Sequence, residues 1–180
     1  YSAFPYVLRL LYTADMMIGA AMWNAKQTGL DKLQSVKEKL ADLVCYREGI
    51  NAHLIASIAM AEKSSGGLLM PQQSMLYAGR VFACSQLPAM MHIARELCGG
   101  QICITPDSAT FGVPGASEWL EKYYSITDEW QADDRRKMLA FARDLLNSDY
   151  AGHRLTFHLF AQAPPVAHSA PVYLHFDFDG

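Results

Sequence analysis

The stretch DDRRKMLAFARDLLN, residues 133–147, followed by SDYAGHR, residues 148–154, carries the first clear structural signal of this chain. Asp133 and Asp134 place negative charge where a helix begins, and Met138, Leu139, Ala142, Leu145 and Leu146 form one apolar stripe at spacings of three and four. One face of this helix is therefore committed to a core. Beyond Asn147 the chain presents a hydroxyl, a carboxylate, a phenol and an Ala-Gly pair in succession, an ending suited to offering short polar groups and backbone amides to a ligand. A plain helix stop explains the same residues.

Working outward, the remaining segments read as further helices. Residues 6–27 are mostly apolar, but Arg9, Asp15 and Lys26 interrupt them, which argues for a buried bundle helix rather than a membrane span. Gly19-Ala20-Ala21 offers a small-residue surface for close approach, and Gly29 ends the element. Asp31 is placed to cap a second helix in which Leu33, Val36, Leu40, Leu43, Ile50, Leu54 and Ile58 recur at helical spacing. A run to about residue 63 would be about 50 Å long, the length of a bundle helix. Residues 64–67, SSGG, break it. The third helix, opened by Pro71 and with a kink expected at Pro88, carries Met75, Leu76, Val81, Phe82, Met90, Met91, Ile93 and Leu97, whose methionines read as core filling. Gly99-Gly100 terminates it, and residues 102–107 alternate and turn. A loop punctuated by Pro106, Gly112, Pro114 and Gly115 leads to a short helix over 117–124, whose Trp119, Leu120, Tyr123 and Tyr124 are suited to clamp it down. The helix at 133 is read as extending toward Phe160, and Pro164-Pro165 as ending regular helix before an extended tail. The expected architecture is all-α, an up-and-down four-helix bundle over residues 1–163 with an extended tail over 164–180.

With 180 residues, half of them hydrophobic, the chain has enough apolar material for one sizeable core. A net charge of -3 gives no basic field, which disfavours nucleic acid. The four cysteines, Cys45, Cys84, Cys98 and Cys103, form no CxxC pair, so reduced thiols in a cytoplasmic protein are expected. The chain starts at Tyr1 without an initiator Met, and we expect it to be part of something longer. Six histidines invite a metal hypothesis, but none falls in an HExxH, and Cys45 and His53 lie about two helical turns apart. No GxSxG, P-loop or GxGxxG is present. No catalytic or metal-ligating residue is assigned.

A set of short motifs in order adds a further signal: GAA at 19–21, REGINAH at 47–53, GR at 79–80, GGQ at 99–101 with PD at 106–107, EKYY at 121–124, and ARDLLNS at 142–148. Together they resemble the C-terminal part of the 4-hydroxyphenylacetate 3-hydroxylase family, which includes two-component flavin-dependent monooxygenases and, as a cousin, 4-hydroxybutyryl-CoA dehydratase. The resemblance implies the C-terminal four-helix bundle of an acyl-CoA-dehydrogenase-like architecture, assembled as a tetramer. It implies FAD as cofactor, reduced by a separate flavin reductase, a phenolic substrate hydroxylated ortho to its hydroxyl, and no membrane partner. The fragment alone would be inactive. On this resemblance Ser148, Asp149, Tyr150 and Ala151 match a segment that meets FAD, and Gly99, Gly100 and Gln101 match a helix end that in related dehydrogenases approaches the dinucleotide of an adjacent subunit. Arg80 falls where the fold offers a cation to FAD phosphates, although an ordinary salt bridge suits it equally. The dehydratase branch implies an iron–sulfur cluster held partly by a His and a Cys of the second long helix, where this chain carries Cys45 and His53 in the opposite order. A non-catalytic oligomerisation bundle is the third reading.

Overall fold

The computed structural model describes residues 3–161 and 163–179. Three long helices dominate: α1 (Ala3–Thr28), α2 (Gln34–Ala59) and α3 (Gln73–Cys98), each 26 residues. After them come α4 (Gln101–Ile104), α5 (Ala116–Tyr124), α6 (Ala132–Leu146), α7 (Asp149–Phe160) and α8 (Pro165–His175). A two-stranded antiparallel hairpin, β1 (Glu62–Lys63) and β2 (Leu69–Met70), links α2 to α3. The all-α bundle expected from periodicity is the observed fold.

Several local expectations are corrected. Asp31 does not cap α2; it lies in a 3-10 turn, Leu30–Lys32, that follows the left-handed Gly29, and α2 begins only at Gln34. At its other end α2 stops at Ala59, because residues 62–63 are taken up by the hairpin. Its turn is closed by Gly67 N–H donating to the Ser64 carbonyl at 2.8 Å, with Gly67 at φ 79°. Of residues 102–107, expected to alternate and turn, the first three belong to the short helix α4. The helix at 132 does not run on to Phe160 but ends at Leu146, and α7 restarts at Asp149. The tail is not extended from 164: Pro165 is the first residue of α8, a position whose missing N–H costs nothing, and extended backbone returns only at Phe176.

The chain divides into two compact units. The first draws its described residues from 3–16, 42–90 and 154–179. Its core contains Tyr6, Val7 and Leu10 of α1, Leu43 and Ile50 of α2, and Leu76 and Leu87 of α3. Here α2 and α3 approach closely at two glycines. A Cβ on Gly79 would lie 2.6 Å from His53 Cβ, and one on Gly49 would lie 2.7 Å from the Phe82 ring. His53 stacks on Phe82 at 5.7 Å between ring centroids. The core of the second unit, from 17–41 and 91–153, contains Met17, Ala21, Ala25, Leu40, Ala94, Leu97, Leu139 and Leu146. The buried positions of α3, namely Leu76, Arg80, Ala83, Leu87, Met91, Ala94 and Cys98, alternate by three and four, so the core stripe passes through an arginine.

In the first unit His158 is 2 % exposed, and the Arg154 Nη2 donates to its Nε2 at 3.3 Å. Burial, then the charges of Arg154 and Arg9, push its pKa down to about 4. Its folded pKa lies below the ordinary value, so its neutral form stabilises the fold above about pH 6.5. That contribution falls as pH drops from about 6.5 toward about 4, by about 3 kcal/mol in total. Urea unfolding midpoints measured from pH 7.5 to 4.5 will decline, and His158→Gln will flatten the decline. An equally steep acid limb in the variant would assign the loss to other groups.

Candidate functional site

One hydroxyl both ends α6 and starts α7. Ser148 Oγ donates to the Asp144 carbonyl at 3.0 Å and accepts the Ala151 N–H at 3.1 Å, so Ser148 is the N-cap of α7. Asp149 then sits in the first turn, where its charge complements the helix dipole. Tyr150 is exposed and Ala151 is buried. The segment expected to meet FAD is thus the ordered first turn of a helix, with Tyr150 turned outward.

Gly99 closes α3 in the left-handed region, φ 72°, with its N–H on the Arg95 carbonyl at 2.9 Å. An added Cβ at Gly99 or Gly100 would meet nothing within 4 Å, so the backbone here faces open space. That space is a groove of about 590 Å³ within the second unit. Lys39 of α2 and His92, Arg95 and Glu96 of α3 form one wall; Gly99, Gly100, Ile102 and Cys103 continue it, and Asn147 closes it. Two bonds tie the α3 end to the α6 end. Arg95 Nε donates to the Leu146 carbonyl at 2.6 Å, and Asn147 Nδ2 donates to Cys103 Sγ at 2.9 Å. Lys39 pairs with Glu96 at 2.8 Å, and His92 Nε2 lies 3.8 Å from the same carboxylate, which together hold the Glu96 pKa below the usual range.

The structure therefore brings Gly99 and Gly100 to one groove with Asn147, the residue before Ser148, while exposed Gln101 begins α4. Arg80 has a different setting, in the first unit. It is 4 % exposed, and its Nη2 donates to the Ala161 carbonyl at 2.7 Å and to His168 Nε2 at 3.2 Å. Its guanidinium carbon lies 4.4 Å from the centroid of the Tyr6 ring, whose hydroxyl contacts Cys84 Sγ at 3.1 Å. Burial and the Arg80 charge lower the pKa of His168. Sequence reasoning missed Lys39, Arg95 and Asn147. Arg95, four residues before a terminating glycine, carried a weak signal; Lys39, distant in the chain, carried none.

Elsewhere in the first unit, an apolar groove of about 610 Å³ is lined by Phe82, Val172, Tyr173, Phe176 and Phe178, with almost no polar group to orient a ligand. On α2, Cys45 is exposed, whereas His53 Nδ1 contacts the Gly49 carbonyl at 2.7 Å; eight residues of helix separate the two by about 12 Å. Among the described residues no three His, Cys, Asp or Glu side chains cluster to hold a metal. No helix among them is long and apolar enough to cross a membrane.

Comparison with known proteins adds to this geometry. The family model described as HpaB, 4-hydroxyphenylacetate 3-hydroxylase C terminal, matches residues 1–180. Over 161 residues the chain is 24% identical to the FADH(2)-dependent monooxygenase TftD of Burkholderia cepacia, covering 89% of this chain and 31% of that protein. It is 23% identical to the 4-hydroxyphenylacetate 3-monooxygenase oxygenase component of Thermus thermophilus, over 84% of this chain and 31% of that one. The chain thus spans about a third of the length of these relatives. Its fold matches the oxygenase component (HpaB) of 4-hydroxyphenylacetate 3-monooxygenase complexed with FAD, at a TM-score of 0.91 and 21% identity, over 98% of this chain and 37% of that one. An oxygen-tolerant 4-hydroxybutyryl-CoA dehydratase from N. maritimus shares the fold at a TM-score of 0.80 and 22% identity, over 89% of this chain and 32% of that one.

Proposed function

Because the chain belongs to the 4-hydroxyphenylacetate 3-hydroxylase C-terminal family, we propose that it is the C-terminal helical domain of a two-component FADH2-dependent monooxygenase. The enzyme hydroxylates a phenol ortho to its hydroxyl, and this domain contributes to FAD binding and to oligomerisation, as part of a tetramer in the cytoplasm. A separate flavin reductase supplies the reduced FAD. When bound, that cofactor supplies the redox chemistry; the domain's own residues bind and orient it.

The observation that carries this reading is the groove beside Gly99 and Gly100. Two residues without side chains leave bare backbone facing open space, next to a guanidinium and the amide of Asn147, which suits close approach by a flat, phosphate-bearing ligand. Ser148, Asp149 and Tyr150 follow Asn147 in the chain and are assigned to the same ligand, whereas Ala151 is buried. Gln101, exposed at the start of α4, is assigned to that ligand by its place after Gly100 in the chain. Arg80 is left out of this set, since its buried guanidinium is already engaged by Ala161 and His168.

Gly100 is the residue to change. It lies at φ -65°, a conformation every residue adopts, so Gly100→Trp fills the groove without backbone strain, which the left-handed Gly99 does not permit. In the full-length enzyme, FAD affinity should fall by at least about tenfold while the assembly state persists, as a lost shape fit of about 1.4 kcal/mol requires. FAD binding equal to wild type would leave the oligomerisation bundle as the better reading. The dehydratase-like reading draws support from the shared fold, but His53 is engaged along α2 about 12 Å from Cys45. Stoichiometric iron in the full-length protein would restore it.

A further inference from the structure

Resting on the flavin reading above, we infer that Arg95 is the groove's contact for an anionic group of the ligand, of the phosphate class that a flavin dinucleotide carries. Three observations converge on this residue. It lines the groove together with Gly99 and Gly100, one helical turn before the terminating glycine. Its Nε is fixed by the Leu146 carbonyl at 2.6 Å, so the planar fork is held in place from the α6 side and loses little freedom on meeting a ligand. Unlike Lys39 and His92, which both face Glu96, Arg95 makes no ion pair among the described residues, and neither of its Nη atoms has a hydrogen-bond partner among them.

A cation positioned by a neutral carbonyl keeps its full charge for something else. The groove beside it is open, and the adjoining Gly100 offers no side chain to obstruct an approaching phosphate. Charge-assisted bonds from a guanidinium to phosphate oxygens are strong and geometrically selective. Arg95 thus takes the role that the family resemblance had implied for Arg80.

The test uses the full-length protein, with FAD titrated at low and high salt into wild type, Arg95→Gln and Gly100→Trp. Arg95→Gln retains a donor for the Leu146 carbonyl while removing the charge. Its FAD affinity should fall about 10- to 100-fold at low salt, and the salt dependence seen in wild type should flatten. Wild-type affinity in Arg95→Gln, or a loss of equal size at both salt concentrations, would overturn the assignment, the second result reducing Arg95 to a positioning residue. Weakened binding in Gly100→Trp alone removes Arg95 but leaves the flavin reading intact; no effect in either variant removes both. Should Arg95→Gln fail to assemble, Arg95→Lys decides the matter: a retained salt dependence supports the contact, and its loss overturns it.

Discussion

Gly79→Ala will lower the stability of the protein by about 2–3 kcal/mol, although alanine is intrinsically the better helix former by about 1 kcal/mol. The new methyl would sit 2.6 Å from His53 Cβ and 3.1 Å from His53 Cγ. Those atoms are fixed to the α2 backbone, and His53 is further held by its contact with the Gly49 carbonyl and its stack on Phe82. No rotamer change relieves such a clash, so α2 and α3 must move apart locally, and the packing that both helices share loosens. Gly49→Ala is the control. Its methyl would meet Phe82 Cε1 at 2.7 Å, but the struck atom is the far edge of a ring that can swing. We expect a cost there of under about 1 kcal/mol, much of it offset by helix propensity. Thermal unfolding of the two variants side by side should separate them by about 4–8 °C. Equal melting temperatures would mean that the helix approach at Gly79 is looser than its geometry indicates.

Arg80→Met gives the second large effect. The substitution keeps much of the side chain's length but strips the donor from the Ala161 carbonyl and from His168 Nε2, and removes the cation over the Tyr6 ring. Leaving those groups without this donor in a buried setting costs about 2–4 kcal/mol, partly offset because methionine has no charge to desolvate. Lost stability should appear with FAD affinity within about twofold of wild type in the assembled enzyme, since a residue buried among Tyr6, Ala161 and His168 acts through packing. The opposite pattern, unchanged melting temperature with weakened FAD binding, would return Arg80 to the cofactor and displace Arg95. The charge of Arg80 also depresses the pKa of His168, so the variant should raise it, which NMR titration of the imidazole can follow.

Much of the fold was legible because apolar spacing is a local property. The stripe of Leu40, Leu43, Ile50 and Leu54 in α2, and that of Leu139, Ala142 and Leu146 in α6, face the core as their three- and four-residue intervals require. Where the stripe contained a polar residue, the pattern misled. Arg80 holds a core position of α3 and Arg135 one of α6, and both are buried, whereas Ile58 of α2, apolar and in phase on a looser count, is exposed. The tail failed for a related reason. Pro164-Pro165 stops one helix and starts another equally well; the structure takes the second course, and the new helix sets His168 against Arg80, 88 residues away. Ser148 was read with Asp149, Tyr150 and Ala151 as a segment that meets FAD or as a plain helix stop; its hydroxyl serves both Asp144 and Ala151, which makes the turn a cap whatever ligand lies beside it.

The sequence alone determined that the chain is helical, that breaks fall near Gly29, residues 64–67 and Gly99, and that its motifs belong to one family, because these properties reside in neighbouring residues and their order. Only the tertiary structure decided that Lys39, Arg95, Gly100 and Asn147 share one groove while Arg80 is buried in the other unit. The physical reason is reach: a guanidinium is equally suited to a phosphate, a carbonyl or an aromatic face, and which it meets depends on groups brought beside it from distant parts of the chain.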